Sequence, residues 1–168
     1  MQQTSIVVHL RRSWHNILQD EDTLLRSRLY SLVPHEIGTI WCESLTGYIN
    51  RLGWVHHVSP RALAAEVIVP HLDERQRLIV PVSVFGTKWA MSLNGASAMT
   101  GPWIDVLNHL TARTDLHLLT LPFWVGDLSR RWQLRETPAW CPLCLSAWQA
   151  KGYPLYQPLL WMIRVVTI

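Results

Sequence analysis

Residues 43–63 read ESLTGYINRLGWVHHVSPRAL, and this stretch decides the fold that we expect. Leu45, Ile49 and Leu52 fall at positions i, i+4 and i+7, which places them in one stripe along a helix. Gly53 follows at a point where helices commonly end in a left-handed residue, which glycine adopts without strain. The first half of the stretch therefore predicts a short amphipathic helix that ends at Gly53.

A second helix is predicted to begin at Ser59. A serine hydroxyl can accept a hydrogen bond from a free backbone N–H at a helix start, and Pro60 suits the first helical position because no N–H is needed there. Leu63 and Val67 contribute to an apolar face, and Pro70 ends the helix. Two short helices joined by a short turn are typical of a helix-turn-helix unit, although most such pairs merely pack together.

A second unit of the same kind is predicted further along the chain. Residues 101–112 (GPWIDVLNHLTA) give the clearest helix, because four large apolar residues recur at helical spacing. These residues are Trp103, Val106, Leu107 and Leu110. Thr114 is then expected to cap another short helix, DLHLLTLPF, with Asp115 in its first turn and Pro122 limiting it. The pattern as a whole favours a mainly α fold.

Three other segments are less regular. TLLRSRLYSL, residues 23–32, predicts a helix that stops at Pro34. RLIVPVSVFGT, residues 77–87, has the composition of a strand, but its proline argues against a central strand. A short edge strand and an irregular segment are equally compatible with it. Residues 94–95, Asn-Gly, predict a turn.

The composition limits the classes of function without choosing one. The 168 residues carry a net charge of +3, which permits contact with nucleic acid but does not require it. Ten tryptophans serve either a small core or a partner surface, where tryptophan is enriched. No run of 18 apolar residues occurs, and the N-terminus does not resemble a signal peptide. We therefore expect a cytoplasmic protein with no membrane span.

The sequence gives no support for an enzyme. Its acidic residues are scattered, whereas nuclease and transposase chemistry needs carboxylates that converge on metal ions. Neither a phosphate-binding Gly-Lys-Ser/Thr loop nor a G-x-S-x-G motif occurs. Cys42 beside Glu43, with His56 and His57 further on, could be imagined as a nucleophile and its base. A small buried side chain is the favoured interpretation of Cys42.

Residues 140–144, WCPLC, contain half of a metal site. The spacing of Cys141 and Cys144 lets two thiolates bind one tetrahedral zinc ion. A redox pair has the same spacing but belongs in a βαβ setting, which is not visible here, and two cysteines without a shared role are the remaining, less favoured interpretation. A structural zinc site needs four ligands, and no Cys or His follows Cys144. His109 and His117 are possible but weak candidates, so we expect an incomplete site or a chain whose second zinc-binding half is absent.

Several segments in this order resemble the TniQ/TnsD family of proteins, which select targets for transposons related to the Tn-seven group. The segments are ESLTGYINRL (43–52), HHVSPRAL (56–63), WIDVLNHLTARTDLHLLTL (103–121), AWCPLCL (139–145) and YQPLLWMIRVVTI (156–168). The last two look like the family's first zinc knuckle, after which the family pattern continues with a Cys and a His. The resemblance covers roughly residues 30–168.

The resemblance implies helix-turn-helix units followed by a small zinc-finger or zinc-ribbon element. On this basis we divide the chain into an N-terminal extension (1–33), a TniQ-like helix-turn-helix domain (34–128) and a zinc-knuckle segment (129–168). The last segment would be the first half of a zinc finger, with Cys141 and Cys144 as its Zn²⁺ ligands.

The function implied by the resemblance is that of a non-catalytic adaptor in DNA transposition. Family members connect a target-recognition module, either a CRISPR effector such as Cascade or the target DNA, to the AAA+ ATPase TnsC, which brings in the transposase. The alternative is a sequence-specific DNA-binding protein, either a TnsD-like reader of the target site or a regulator. The second helix offers only Arg61 for reading bases, which favours the adaptor.

Two groups of residues are predicted to contact partners. Exposed aromatic and arginine side chains make good anchors, so the TnsC-binding surface is predicted at Trp41, Tyr48, Arg51, Trp54, His56 and His57. The competing interpretation places Trp41 and Tyr48 in the core. Nucleic-acid contact is predicted at Arg130, Arg131 and Arg135, beside the zinc knuckle.

Overall fold

The fold is built from short helices. A computed structural model of the protein describes residues 27–79, 89–125 and 134–164. Its helices are α1 (Leu45–Val55), α2 (Pro60–Leu63), α3 (Glu74–Ile79), α4 (Trp89–Asn94), α5 (Thr100–Thr111), α6 (Leu121–Val125) and α7 (Pro142–Ala150). Three further turns are 3₁₀ helices, at Val69–His71, Leu116–Leu119 and Leu159–Met162. These residues contain two isolated β-bridges and no strand, so the prediction of a mainly α fold is confirmed.

Helix α1 ends later than the sequence predicts. The Ser44 hydroxyl accepts a hydrogen bond from the Gly47 N–H at 3.1 Å, which caps the helix. The prediction that Gly53 ends the helix is wrong, because the left-handed residue is His57, with φ of 55°. Gly53 is needed for a close approach instead, since a Cβ there would lie 2.9 Å from the Val58 carbonyl oxygen.

The second helix of this unit starts as predicted. The Ala62 N–H donates to the Ser59 hydroxyl at 3.1 Å, and Pro60 occupies the first turn. Helix α2 then continues through a π turn at Ala64–Ile68 and the 3₁₀ turn at Val69–His71. Pro70 lies in that last turn, so the predicted end of the helix is also correct.

The second helical unit is only partly as predicted. Helix α5 matches the predicted span of 101–112 to within one residue, and Trp103, Leu107 and Leu110 are fully buried. The following helix is broken into a 3₁₀ turn and α6, with Thr120 extended between them. Pro122 explains the break, because it has no N–H for a helix interior and is tolerated only in a first turn.

The segment before α1 is irregular, so the prediction of a helix over residues 23–32 is wrong for residues 27–32. Residues 23–26 lie outside the described residues. The N–H groups of Arg28 and Leu29 donate to the Leu110 carbonyl, at 2.8 and 2.9 Å. The Tyr48 hydroxyl donates to the Leu32 carbonyl at 3.1 Å. The segment therefore forms hydrogen bonds with α1 and α5, and one within itself, from the Leu32 N–H to the Tyr30 carbonyl at 2.9 Å.

Two other sequence expectations concern the region between α3 and α5. Most of the segment 77–87 lies outside the described residues, and its first residues belong to α3. The turn predicted at residues 94–95 is present, because Asn94 ends α4 and Gly95 begins the connection to α5.

The buried apolar residues form two clusters. The larger one joins the inner faces of α1, the α2 segment and α5, with Trp103 and Tyr48 among its largest members. The smaller one contains Trp161 and Met162 from the C-terminal 3₁₀ turn, together with Leu121 of α6. Residues of α7 pack against this second cluster.

A buried ion pair joins the start of α1 to the preceding loop. The Glu43 side chain is fully buried, and Arg51 donates to both of its carboxylate oxygens at 2.7 Å. The His35 N–H donates to the same carboxylate at 3.2 Å, and Arg51 also donates to the Val33 carbonyl. Burial raises the pKa of Glu43, while the hydrogen bonds and charge of Arg51 oppose that rise. The pair thus fixes the loop against α1.

The residues flanking this ion pair hold the C-terminal segment. The backbone N–H and the hydroxyl of Ser44 both donate to the Gln157 carbonyl, each at 2.9 Å. The Leu159 N–H donates to the Cys42 carbonyl at 2.7 Å, and Glu43 forms an antiparallel bridge with Pro158. The described part of the segment 129–168 is therefore in direct contact with the start of α1.

We expect Glu43→Gln to lower the free energy of unfolding by about 3 kcal/mol, because breaking a buried ion pair leaves its partner charge uncompensated. Urea unfolding would measure the change. Asp115→Asn is the matched control, since it breaks the more exposed pair of Asp115 with Arg113 and should cost less than about 1 kcal/mol. Equal losses in the two variants would contradict the central role of Glu43.

Candidate functional site

An apolar groove of about 120 Å³ lies between α1 and the C-terminal segment. Helix α1 contributes Gly47, Asn50, Arg51 and Trp54, which share one face because they are spaced at i, i+3, i+4 and i+7. The opposite wall consists of Trp140, Leu145, Leu155, Tyr156 and Gln157. Trp54 is 66% exposed and Trp140 is 53% exposed. Large exposed aromatic residues beside an apolar groove are typical of a protein-binding site.

Two of the predicted partner-binding residues line this groove. Trp54 stands exposed beside it, and Arg51 is half-buried with its guanidinium held by Glu43 and by the Val33 carbonyl. The prediction that Tyr48 contacts a partner is wrong, because its side chain is fully buried. Burial also raises the pKa of Tyr48 to about 12. Tyr48 faces the core, as the competing interpretation of the sequence proposed.

The other predicted partner-binding residues lie elsewhere. Trp41 is 38% exposed and meets the ring of Trp148 edge-on. The His56 ring accepts a hydrogen bond from the Tyr30 N–H and packs against the Tyr30 ring. His57 is exposed at the left-handed turn position. These three side chains therefore do not form the groove with Arg51 and Trp54.

A second apolar depression, of about 140 Å³, lies on another part of the surface. It is lined by Thr39, Ile40, Cys42, Leu121, Trp124, Leu159, Leu160 and Ile163. Ile40 and Trp124 are exposed there. None of these lining residues carries a buried polar side-chain atom without a partner, and this distinguishes it from the groove beside α1.

The two cysteines of the WCPLC sequence lie at the start of α7. The Cys141 sulfur caps this helix by accepting a hydrogen bond from the Cys144 N–H at 3.3 Å. A hydrogen bond between the two thiols lowers the pKa of Cys141 and raises the pKa of Cys144. No third His, Cys, Asp or Glu joins them within residues 27–79, 89–125 and 134–164. His109 and His117 therefore do not join Cys141 and Cys144 in a metal-binding group.

The family-model comparison finds a match to TniQ over residues 34–168. The chain belongs to the TniQ family. A search of curated proteins found no match. The matched region includes both walls of the groove and the cysteine pair, so these features lie within the part that makes this chain a TniQ protein.

Two expectations remain for this TniQ protein: that three arginines contact nucleic acid, and that the chain has no membrane-spanning helix. Arg130 and Arg131 lie outside the described residues, whereas Arg135 is half-buried and its backbone N–H donates to the Met162 carbonyl at 2.7 Å. In the described parts of the chain, no helix is both long enough and apolar enough to cross a membrane.

A stack of aromatic rings connects α7 to the loop before α1. Trp148 lies between the rings of Tyr156, at 5.0 Å, and Trp161, at 5.6 Å. Tyr156 in turn stacks on His35 at 4.8 Å. Burial and the nearby charge of Arg51 both lower the pKa of His35. The folded state of this TniQ protein therefore favours a neutral His35.

This arrangement predicts a pH dependence of stability. Because the pKa of His35 is lower in the folded state, its contribution is fully present above pH 6.5, the ordinary histidine value, and is lost as pH falls. The loss cannot exceed about 1.4 kcal/mol per pH unit. Urea unfolding between pH 7.5 and 5.5 should show wild type losing stability relative to His35→Phe, which keeps a ring against Tyr156. If the free energy of unfolding changes equally with pH in the two proteins, His35 is not the source of the pH dependence.

Proposed function

We propose that this protein is a non-catalytic adaptor in DNA transposition. It links a target-recognition module, a CRISPR effector or the target DNA, to the AAA+ ATPase TnsC and so recruits the transposase. The observation that carries the proposal is the exposed apolar groove beside α1, within the region that matches TniQ. Such a role places the protein with DNA in the bacterial cytoplasm.

The groove has the properties expected of a protein-binding surface. Trp54 and Trp140 supply large contact areas, and tryptophan and arginine are the residues that most often dominate binding energy. Arg51 is already fixed by Glu43, so its side chain loses little freedom when a partner binds. A partner that covers this groove would therefore gain apolar burial at a low entropic cost.

The residues that suggested a catalytic alternative are engaged in structural roles. Cys42 is buried, and burial raises the pKa of its thiol to about 11, so it does not supply a thiolate nucleophile at neutral pH. Glu43 is held by two hydrogen bonds from Arg51 and cannot serve as a mobile base. Both observations support an adaptor rather than an enzyme.

The exposed face of α2 supports the adaptor over a protein that reads DNA sequence. Arg61 is exposed near its start, but Ala65 and Glu66 are the next exposed residues along the segment. Alanine carries no hydrogen-bonding side chain, and glutamate next to phosphates is repelled. If the protein touches DNA, we propose that Arg130, Arg131 and Arg135 provide the contact.

We further propose that Cys141 and Cys144 hold a zinc ion. Two thiols at C-x-x-C spacing on a helix start fit half of a structural zinc site, and the remaining two ligands come from outside the described residues. When bound, zinc cross-links its ligands and so stabilises the folded segment. Cys141 and Cys144 would orient α7, whose Leu145 lines the groove.

The adaptor proposal predicts a complex with a TnsC-type AAA+ ATPase. The ATPase would be loaded on duplex DNA with a non-hydrolysable ATP analogue, and binding measured by sedimentation with the filament. Trp54→Ala should weaken binding at least tenfold, because removing a central tryptophan anchor commonly costs about 2 kcal/mol or more.

Leu78→Ala provides the control for that experiment. Leu78 is also exposed and apolar but lies on α3, outside the groove, so its change should leave the affinity unaltered. If wild type fails to join the ATPase and instead binds one specific DNA sequence, the adaptor proposal is wrong and the sequence-reading alternative is correct.

The zinc proposal is tested on the full-length gene product by elemental analysis and thermal unfolding. Cys141→Ser and Cys144→Ser should each lower zinc content from about one ion per chain to background, and lower the unfolding temperature. Cys42→Ala is the control, because this buried cysteine does not join the pair in a metal-binding group and should leave zinc content unchanged. Full zinc retention in Cys141→Ser would rule out this site.

A further inference from the structure

Two histidine rings accept hydrogen bonds from the segment before α1. The Tyr30 backbone N–H donates to Nε2 of His56 at 3.1 Å, and the two rings pack with their centroids 4.7 Å apart. The Arg28 guanidinium donates to Nε2 of His71 at 3.0 Å. His56 caps the C-terminal end of α1, and His71 ends the 3₁₀ turn that follows the α2 segment. The segment is therefore attached to two separate helical elements through imidazole rings.

The protonation state of both rings follows from their partners. A guanidinium and a backbone N–H can only donate, so Nε2 of each ring must carry a free lone pair. Nδ1 of His71 lies 2.7 Å from the Val67 carbonyl oxygen, which can only accept, so Nδ1 carries the proton. Both hydrogen bonds to the segment therefore require a neutral ring that is protonated at Nδ1.

Protonation of the two rings removes both hydrogen bonds. A proton on Nε2 of His56 would point one N–H donor at another, that of Tyr30. A proton on Nε2 of His71 would also place a second cation beside the Arg28 guanidinium. Because histidine ordinarily titrates near pH 6.5, the bonds are present at pH 7.5 and are lost as the pH falls towards 5.5.

The charged groups on the neighbouring elements are paired with each other. Arg51 of α1 is held by Glu43, and Arg113 after α5 is held by Asp115. Hydrogen bonding to Arg113 lowers the pKa of Asp115, so this pair persists across the same pH range. Among the described residues, no carboxylate forms an ion pair with either ring. The other charged or titratable residues near the two rings along the chain are exposed: His57, Glu66, Asp73, Glu74 and Arg75.

The attached segment covers part of the larger core. Leu29 is only 5% exposed and belongs to that core, and its backbone N–H donates to the Leu110 carbonyl at 2.9 Å. The Leu32 carbonyl accepts the hydroxyl of Tyr48, whose ring is fully buried. Release of the segment would therefore uncover apolar surface between α1 and α5.

We propose that His56 and His71 form a pH-sensitive clasp, which holds residues 27–33 against α1 and α5 when both rings are neutral and releases them when both are protonated. Apolar surface beneath the segment then becomes accessible only under acidic conditions. The clasp is a property of this chain alone, so it does not rest on the proposed function and is tested without a partner.

Hydrogen exchange measures the release directly. The backbone N–H groups of Arg28 and Leu29 both donate to the Leu110 carbonyl, at 2.8 and 2.9 Å, and lose that acceptor when the segment opens. Their protection factors, corrected for the intrinsic pH dependence of exchange, should fall about tenfold between pH 7.5 and 5.5, since two hydrogen bonds are lost. The amide of Leu107, in the buried part of α5, is the internal reference and should change much less.

Glutamine substitutions separate the clasp from other sources of pH dependence. A glutamine amide oxygen can accept a hydrogen bond as Nε2 does, but it does not titrate. The double variant His56→Gln/His71→Gln should therefore lose the tenfold fall in protection. His109→Gln, at an exposed position of α5, is the matched control and should keep the fall. If the double variant fails to fold, each single variant should keep a fall of only about threefold.

Three results would overturn the inference. Wild-type protection at Arg28 and Leu29 could be the same at both pH values, which would show that the segment is not released. An equal fall at Leu107 would mean that the whole domain opens rather than this segment. A full tenfold fall in the double variant, or in both single variants, would assign the pH dependence to another group such as His35.

Discussion

The buried ion pair between Glu43 and Arg51 is the constraint on which the rest of the structure depends. A carboxylate in the interior is tolerated only when hydrogen bonds compensate for its lost hydration, and Arg51 and the His35 N–H provide them. The neighbouring residue, Ser44, caps α1 and binds the Gln157 carbonyl. Two adjacent residues thus join the loop before α1, the helix itself and the C-terminal segment.

This junction also creates the candidate binding site. One face of α1 packs Leu45, Ile49 and Leu52 into the larger core, and the opposite face is left to meet residues 140–157. The close approach at Gly47 brings the two walls of the groove together, while Trp54 remains exposed beside the groove. The proposed adaptor surface is therefore a consequence of how α1 is anchored.

Helix α7 connects the proposed zinc site to the same groove. Cys141 and Cys144 lie at its start, Leu145 lines the groove, and Trp148 is held between Tyr156 and Trp161. A metal that fixes the start of α7 would also fix one wall of the groove. Through this coupling the proposed zinc ion would support partner binding without any direct contact between the metal and the partner.

The sequence by itself determined the features that depend on local hydrogen bonds and spacing. The cap at Ser59, the start at Pro60 and the apolar stripe of α5 follow from residues within one or two turns of each other. Predictions from local sequence failed where distant groups bind the backbone. Residues 27–32 form hydrogen bonds with α1 and α5 instead of a helix. Gly53 does not end α1, because its role is to make room for the Val58 carbonyl. Tertiary structure alone buried Tyr48 and placed Trp54 beside Trp140. These two tryptophans lie more than 80 residues apart, and no periodicity in a sequence encodes a contact that forms only when two separate segments pack together.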